Sequence, residues 1–122
     1  MPRPIHFEIC ASLPERAARF YSAIFGWKIE KWEGAEDYWF IDTGEEGEPG
    51  INGALMRKLI PNASTINTID VSSVDNYISR IIEFKGKVIM SKKTIPGIGY
   101  HAYCQDTEGN IFGIMEPDPN AK

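Results

Sequence analysis

A chain of 122 residues is long enough for one domain with a sizeable core, and 43% hydrophobic with 25% charged residues is an ordinary globular balance. The formal net charge of −4 leaves no basic stripe to neutralise phosphates, which argues against nucleic acid or an anionic membrane surface as partner. No run approaches the roughly 18 apolar residues of a bilayer span, and the opening MPRPIHF lacks the apolar core of a signal peptide, so a cytoplasmic location is expected.

Residues 4–11 alternate as a strand does, with His6 and Glu8 on one face and Ile5, Phe7 and Ile9 on the other. SLPERAARFYSAIFG reads as a helix. Ser12 is the expected N-cap with Glu15 completing a capping box, Ala17, Phe20, Tyr21 and Ile24 make the apolar stripe, and Gly26 is the stop. Three strands are expected next, in WKIEKW, YWFIDT and NGALMRK.

The order then repeats. TINTIDV is strand-like, and SSVDNYISRIIEFKG is a helix with a Ser72 cap, a stripe of Val74, Tyr77, Ile78, Ile81 and Ile82, and a Gly86 stop. KVIMSK, GYHAYCQ and NIFGIME are three further strands. An offset of 60 superposes Ser12 on Ser72, Gly26 on Gly86, Gly53 on Gly113 and Leu55 on Met115. Residues 1–122 are therefore expected to form a single α+β domain of two βαβββ modules, 4–58 and 64–117. Cys10 and Cys104, outside any C-x-x-C pair, are expected to be reduced.

HFEI…PERAARFYSAIFGW and DTEGNIFGIME, with the strand–helix order around them, resemble the opening and closing segments of the vicinal oxygen chelate superfamily. That superfamily includes glyoxalases, extradiol dioxygenases and bleomycin-resistance proteins, and IPGIGYHAYCQDTEGN resembles a small glyoxalase-like subgroup of it. The resemblance covers essentially the whole chain. It implies curved mixed sheets around a concave ligand cleft, with the helices on the convex side and often a homodimer. A homodimer is expected here, also because Trp32 and Trp39 have no obvious helix to cover them.

The resemblance also implies a divalent metal held by His and Glu side chains on the concave face, polarising paired substrate oxygens. Of the four positions it points to, His6 matches. Its repeat partner is Ile66, the position three residues after Gly109–Asn110 is Gly113, and the partner of that is Gly53. Glu8 lies on the correct strand face to join His6, while Glu116 falls on the opposite one, so His6, Glu8 and Glu116 are only weak metal candidates and no resident cofactor is expected.

If the helix stripe meets Ile5, Phe7 and Ile9, the ligand face collects His6, Glu8, Leu55, Arg57, Thr68, Asp70, Ile111 and Met115, with Trp39, Tyr100 or Tyr103 closing the sides. Alternation does not settle where His101 points, and it is counted with the ligand contacts. The expected function is binding of a small, largely apolar organic molecule. The alternative is an enzyme, either a metal-dependent lyase or dioxygenase with a non-standard ligand set around His6, or one using His6 as a general base. GEEGEPG is too acidic to cradle phosphate.

Overall fold

The computed structural model describes residues 2–34, 36–58 and 60–122. Among them the elements run β1 (Pro4–Ala11), α1 (Pro14–Phe25), β2 (Lys28–Lys31), β3 (Tyr38–Asp42), β4 (Gly53–Arg57), β5 (Thr65–Asp70), α2 (Val74–Glu83), β6 (Lys87–Ile95), β7 (Gly99–Gln105) and β8 (Ile111–Pro117). This is an α+β chain in which βαβββ occurs twice. It divides into two compact units, His6–Ile66 and Met1–Ile5 with Asn67–Lys122.

In the His6–Ile66 unit the strand order is β2-β3-β4-β1, with β1 parallel to β4 and the other neighbours antiparallel. The parallel pair follows from the crossover through α1, since parallel strands cannot be joined by a tight turn. Trp39, Ile41 and Leu55 form the core under α1, joined by Phe7, Ile9, Ala17, Ala18, Tyr21 and Trp27. Trp39, expected to lack a covering helix, is 6% exposed within that core. The helix turns Ala17, Ala18 and Tyr21 inward and leaves Phe20 and Ile24 outside, so the stripe lies one position round from the expected one. Its N-cap is Leu13, without a side-chain hydrogen bond, and not Ser12. Gly26 ends it in the left-handed conformation, as expected.

In the second unit the strand order is β5-β8-β7-β6, with β5 parallel to β8. Val71, Val74, Ala102, Cys104 and Ile114 are its core, with Tyr77, Ile78 and Ile81 of α2 packed on them. Ile82, expected in the stripe, is exposed. The cap is Ser73, whose Oγ accepts from the Asn76 N–H at 3.1 Å, and not Ser72.

The end of α2 differs from the sequence reading in an instructive way. Lys85, and not Gly86, takes the left-handed conformation with φ 77°. The Lys85 N–H donates to the Ile82 carbonyl and the Gly86 N–H to the Ile81 carbonyl, which is a Schellman closure. Gly86 is needed for space, because a Cβ there would lie 2.6 Å from Ile81 Cγ2 and 2.9 Å from the Gln105 carbonyl oxygen. Two adjacent substitutions therefore have opposite signs. Lys85→Gly is expected to stabilise by about 1 kcal/mol by removing left-handed strain, and Gly86→Ala to destabilise by about 1–3 kcal/mol through overpacking. Urea unfolding of both variants beside the wild type gives the order.

Candidate functional site

Strand register decides which side chains share a face. In the His6–Ile66 unit Glu8 pairs with Ala54, Ala54 with Phe40 and Phe40 with Glu30, so these four lie on the face away from α1. His6 and Tyr38 belong to the same face by alternation. Leu55 pairs with Ile9 and Arg57 with Ala11, which puts both on the helix side. Leu55 is core there, and Arg57 is occupied by Asp37 (Nε to Oδ2, 3.0 Å) and by the Ser12 carbonyl. The expected placement of Leu55 and Arg57 on the ligand face is thereby corrected, and Trp39 likewise faces the helix.

Tyr38 organises the face. Its hydroxyl donates to Glu8 Oε2 at 2.7 Å and lies 2.9 Å from His6 Nε2. A carboxylate accepts only, so the single phenolic proton is committed to Glu8, and His6 Nε2 must carry the proton that bonds the phenol oxygen. Neutral His6 is thus the Nε2–H tautomer, with the Nδ1 lone pair free of hydrogen bonds among the described residues. Tyr38 stands two strands from β1, roughly 9–10 Å away, so its ring has to cross β4. The β4 residue paired with Glu8 is Ala54, fully buried, whose methyl leaves room for that crossing. The sequence marks YWFIDT as a strand, but only the strand order reveals what Tyr38 can reach.

Burial shapes the electrostatics. Glu8 is 3% exposed. Desolvation lowers the His6 pKa below its ordinary value, partly offset by the Glu8 charge. Burial, then the Glu8 charge and hydrogen bond, push the Tyr38 hydroxyl far above the usual tyrosine range, so it stays protonated. An open hollow of about 420 Å³ adjoins the face, with His6, Lys28, Glu30, Phe40, Asp42 and Asn52 in its lining. Phe40 and Ile41 give it apolar surface beside these polar groups.

In the second unit Thr68 pairs with Gly113 and Gly113 with Tyr103, while Asp70 pairs with Met115 and Met115 with His101. These six, with Ile111 by alternation, share the face away from α2, as anticipated for Thr68, Asp70 and Met115, and the register settles the open question of His101. A Cβ on Gly113 would lie 2.9 Å from His101 Nε2 and 3.3 Å from Thr68 Oγ1, so the imidazole fills the space over the glycine. Tyr100 is on the other side, packed into the α2 core with its hydroxyl donating to Asp118 at 3.3 Å. Glu116 accepts the Val74 N–H at 3.0 Å and serves the N-terminus of α2, which removes it as a metal candidate.

The register of β8 is pinned by the DTEGN turn. Asp106 accepts from the Glu108 and Asn110 backbone and from the Asn110 amide, and these bonds hold its carboxyl below the usual range. Matching Glu8–Ala54 to Thr68–Gly113 makes the offset 60 on the first strands but 59 on the last. The counterpart of Gly113 is therefore Ala54, and not Gly53, and that of Ile114 is Leu55.

A divalent metal does not fit these side chains. Of the positions the superfamily resemblance points to, His6 alone can ligate. Ile66, Gly113 and Gly53 offer nothing, nor does Ala54, the counterpart of Gly113 in the observed register, and among the described residues no three His, Cys, Asp or Glu side chains converge.

No protein-family model matches the chain, and no curated protein matches it. Solved structures do. Methylmalonyl-CoA epimerase in complex with methylmalonyl-CoA and NH4+ aligns with TM-score 0.71 at 11% identity over 100% of this chain and 99% of its own. The Mycobacterium tuberculosis methylmalonyl-CoA epimerase aligns with TM-score 0.68 at 13% identity, over 95% and 88%. A glyoxalase/bleomycin resistance protein/dioxygenase superfamily member from Vibrio splendidus 12B01 gives 0.65 at 12% identity, over 95% and 99%. The fold is that of the vicinal oxygen chelate superfamily. At these identities the likeness is one of fold, and it assigns no ligand or activity to this chain.

Two outcomes follow from the Tyr38 bridge. Tyr38→Phe takes a donor from buried Glu8 and the acceptor from His6 Nε2, with an expected loss of about 1–3 kcal/mol, read by denaturant unfolding. Because the folded His6 pKa is below the unfolded value of 6.5, the unfolded chain binds more protons between the two. The His6 contribution is intact above 6.5 and is lost as pH falls through the folded pKa. The drop in Tm from about pH 8 to pH 5 is expected to be smaller in His6→Gln than in wild type.

Proposed function

We propose that the protein binds a small organic molecule on the His6–Tyr38–Glu8 face of the His6–Ile66 unit, through hydrogen bonds and ring contact in place of metal chelation. The observation that carries this is the Tyr38 hydroxyl standing between Glu8 Oε2 and His6 Nε2, from which follows the Nε2–H tautomer of His6. Its Nδ1 presents an oriented lone pair to a hydroxyl or N–H of a ligand, with the position of the ring set by a fully committed phenol behind it. Phe40, 46% exposed on the same face, supplies an apolar surface for the body of the molecule. Lys28 and Asn52 stand at the hollow to meet polar groups at its edge.

A second reading is favoured by the same geometry. A histidine whose far nitrogen is bonded through a phenol to a buried carboxylate is arranged as a general base. When Nδ1 takes a proton, the new imidazolium charge is met by Glu8 through Tyr38, and the ring need not turn. The substrate of such an enzyme would carry an acidic C–H or O–H beside Nδ1. The fold accommodates both readings, since the names of its neighbours include an epimerase and a superfamily that contains resistance proteins.

Purified protein should release a co-purified organic molecule on denaturation, detected by mass spectrometry, and His6→Ala should release less of it. Elemental analysis that finds one tightly held divalent metal per chain would overturn the proposal. Returning the released molecule to the protein in heavy water separates the readings. Deuterium appearing at carbon, and absent with His6→Gln, favours proton transfer, and no exchange leaves binding.

A further inference from the structure

The two units place the same pieces at corresponding positions and finish them differently. Tyr38 pairs with Met56 and His101 with Met115, so these rings correspond, and each leans toward a small residue, Ala54 or Gly113. Behind the small residue stands the polar side chain of the first strand, Glu8 in one unit and Thr68 in the other. In the first unit that side chain is satisfied by the phenol. In the second, Thr68 Oγ1 is buried without a hydrogen-bond partner, and so is Asp70 Oδ1 two residues along on the same face. Thr68 as a residue is only 3% exposed.

An unmet buried oxygen is destabilising, and two on adjacent same-face positions of one strand, beside a glycine cradle, concentrate that cost. Both atoms accept hydrogen bonds, and a carboxylate oxygen can do nothing else. A metal does not answer the need, because Asp70 is the one carboxylate in the group and Met115 lies between it and His101. Nor does an anion, which would face the Asp70 charge.

We propose that Thr68 and Asp70 form a polar subsite for a nitrogen group carrying at least two N–H donors, a primary ammonium or a carboxamide, on a small molecule. One such nitrogen can donate to Thr68 Oγ1 and to Asp70 Oδ1 together, which a hydroxyl with its single proton cannot. Met115, between Asp70 and His101, offers a thioether surface to the adjoining carbon chain. The proposal stands on the second unit alone and does not require the His6 face to bind anything.

The test is an NMR titration of protein labelled at threonine and methionine methyls with propylammonium, propionamide and propionate at constant ionic strength. Saturable shifts of the Thr68 and Met115 methyls with propylammonium or propionamide, and none with propionate, are expected. Asp70→Asn should weaken propylammonium about tenfold or more, as loss of a charge-assisted bond does, and should affect propionamide less. Thr68→Val should weaken both probes yet raise the Tm of the free protein, because it removes an unmet hydroxyl. A purely structural Thr68 would not give that pair of results. Failure of both nitrogen probes to shift these methyls, or equal shifts with propionate, would overturn the proposal.

Discussion

A phenol has one proton, and the polar face of the first unit is built on where Tyr38 sends it. Glu8 is buried on a sheet face and tolerates that position because the phenol donates to it. Once the proton is committed, the phenol oxygen is an acceptor only, and His6 must present Nε2–H to it. The tautomer, the direction of the Nδ1 lone pair and the lowered basicity of the ring all follow from that one bond and the burial around it. The same constraint reaches the backbone. A side chain on β3 touches β1 only if the strand between them carries something as small as Ala54 at the crossing.

The second unit shows what happens when the third-strand ring is changed. His101 occupies the position of Tyr38, and Gly113 in place of Ala54 gives it closer access to the sheet. The aromatic at the next same-face position is kept in kind, Phe40 in one unit and Tyr103 in the other, the latter edge-on to His101 at 4.4 Å between centroids. What is not kept is the pairing of the polar groups. Duplicated backbones hold ring and strand in corresponding places, and a change of a few side chains turns a closed hydrogen-bond chain into a pair of open acceptors.

Most of the architecture was legible in the sequence because it rests on local signals. Alternation located β1 to the residue, GYHAYCQ matched β7, and the repeat of strand, helix and three strands held throughout. The errors share a cause, since each needed a parity that one-dimensional spacing does not carry. Ser12 and Ser72 are both one residue early for the caps, Phe20, Ile24 and Ile82 fall outside stripes that are narrower than their apolar runs, and the offset of 60 hides a change to 59 in the last strands. That single residue sent Leu55 and Arg57 to the wrong face, because a one-residue slip in a strand exchanges its two sides. His6 and Glu8 were readable, being on the strand that opens the chain. Tyr38 was not, because its role depends on lying two strands away across a gap.

At the ligand positions that the resemblance points to, the residues other than His6 are tied into their surroundings. At 113 the missing carboxylate leaves a space that His101 already occupies, with its nitrogen 2.9 Å from where a Cβ would stand. At the counterpart position Ala54 is required by the crossing of Tyr38, and at 66 the isoleucine is fully buried. A glutamate at 113 would have to displace one ring, a glutamate at 54 another, and a ligand at 66 would put a polar group where a packed side chain now stands. The three positions are each coupled to a neighbour that suits the present residue, so placing a ligand at any of them would disturb packing as well as add a donor. The polar groups that remain are an imidazole bonded through a phenol to a buried carboxylate in one unit and two buried oxygens without a hydrogen-bond partner in the other.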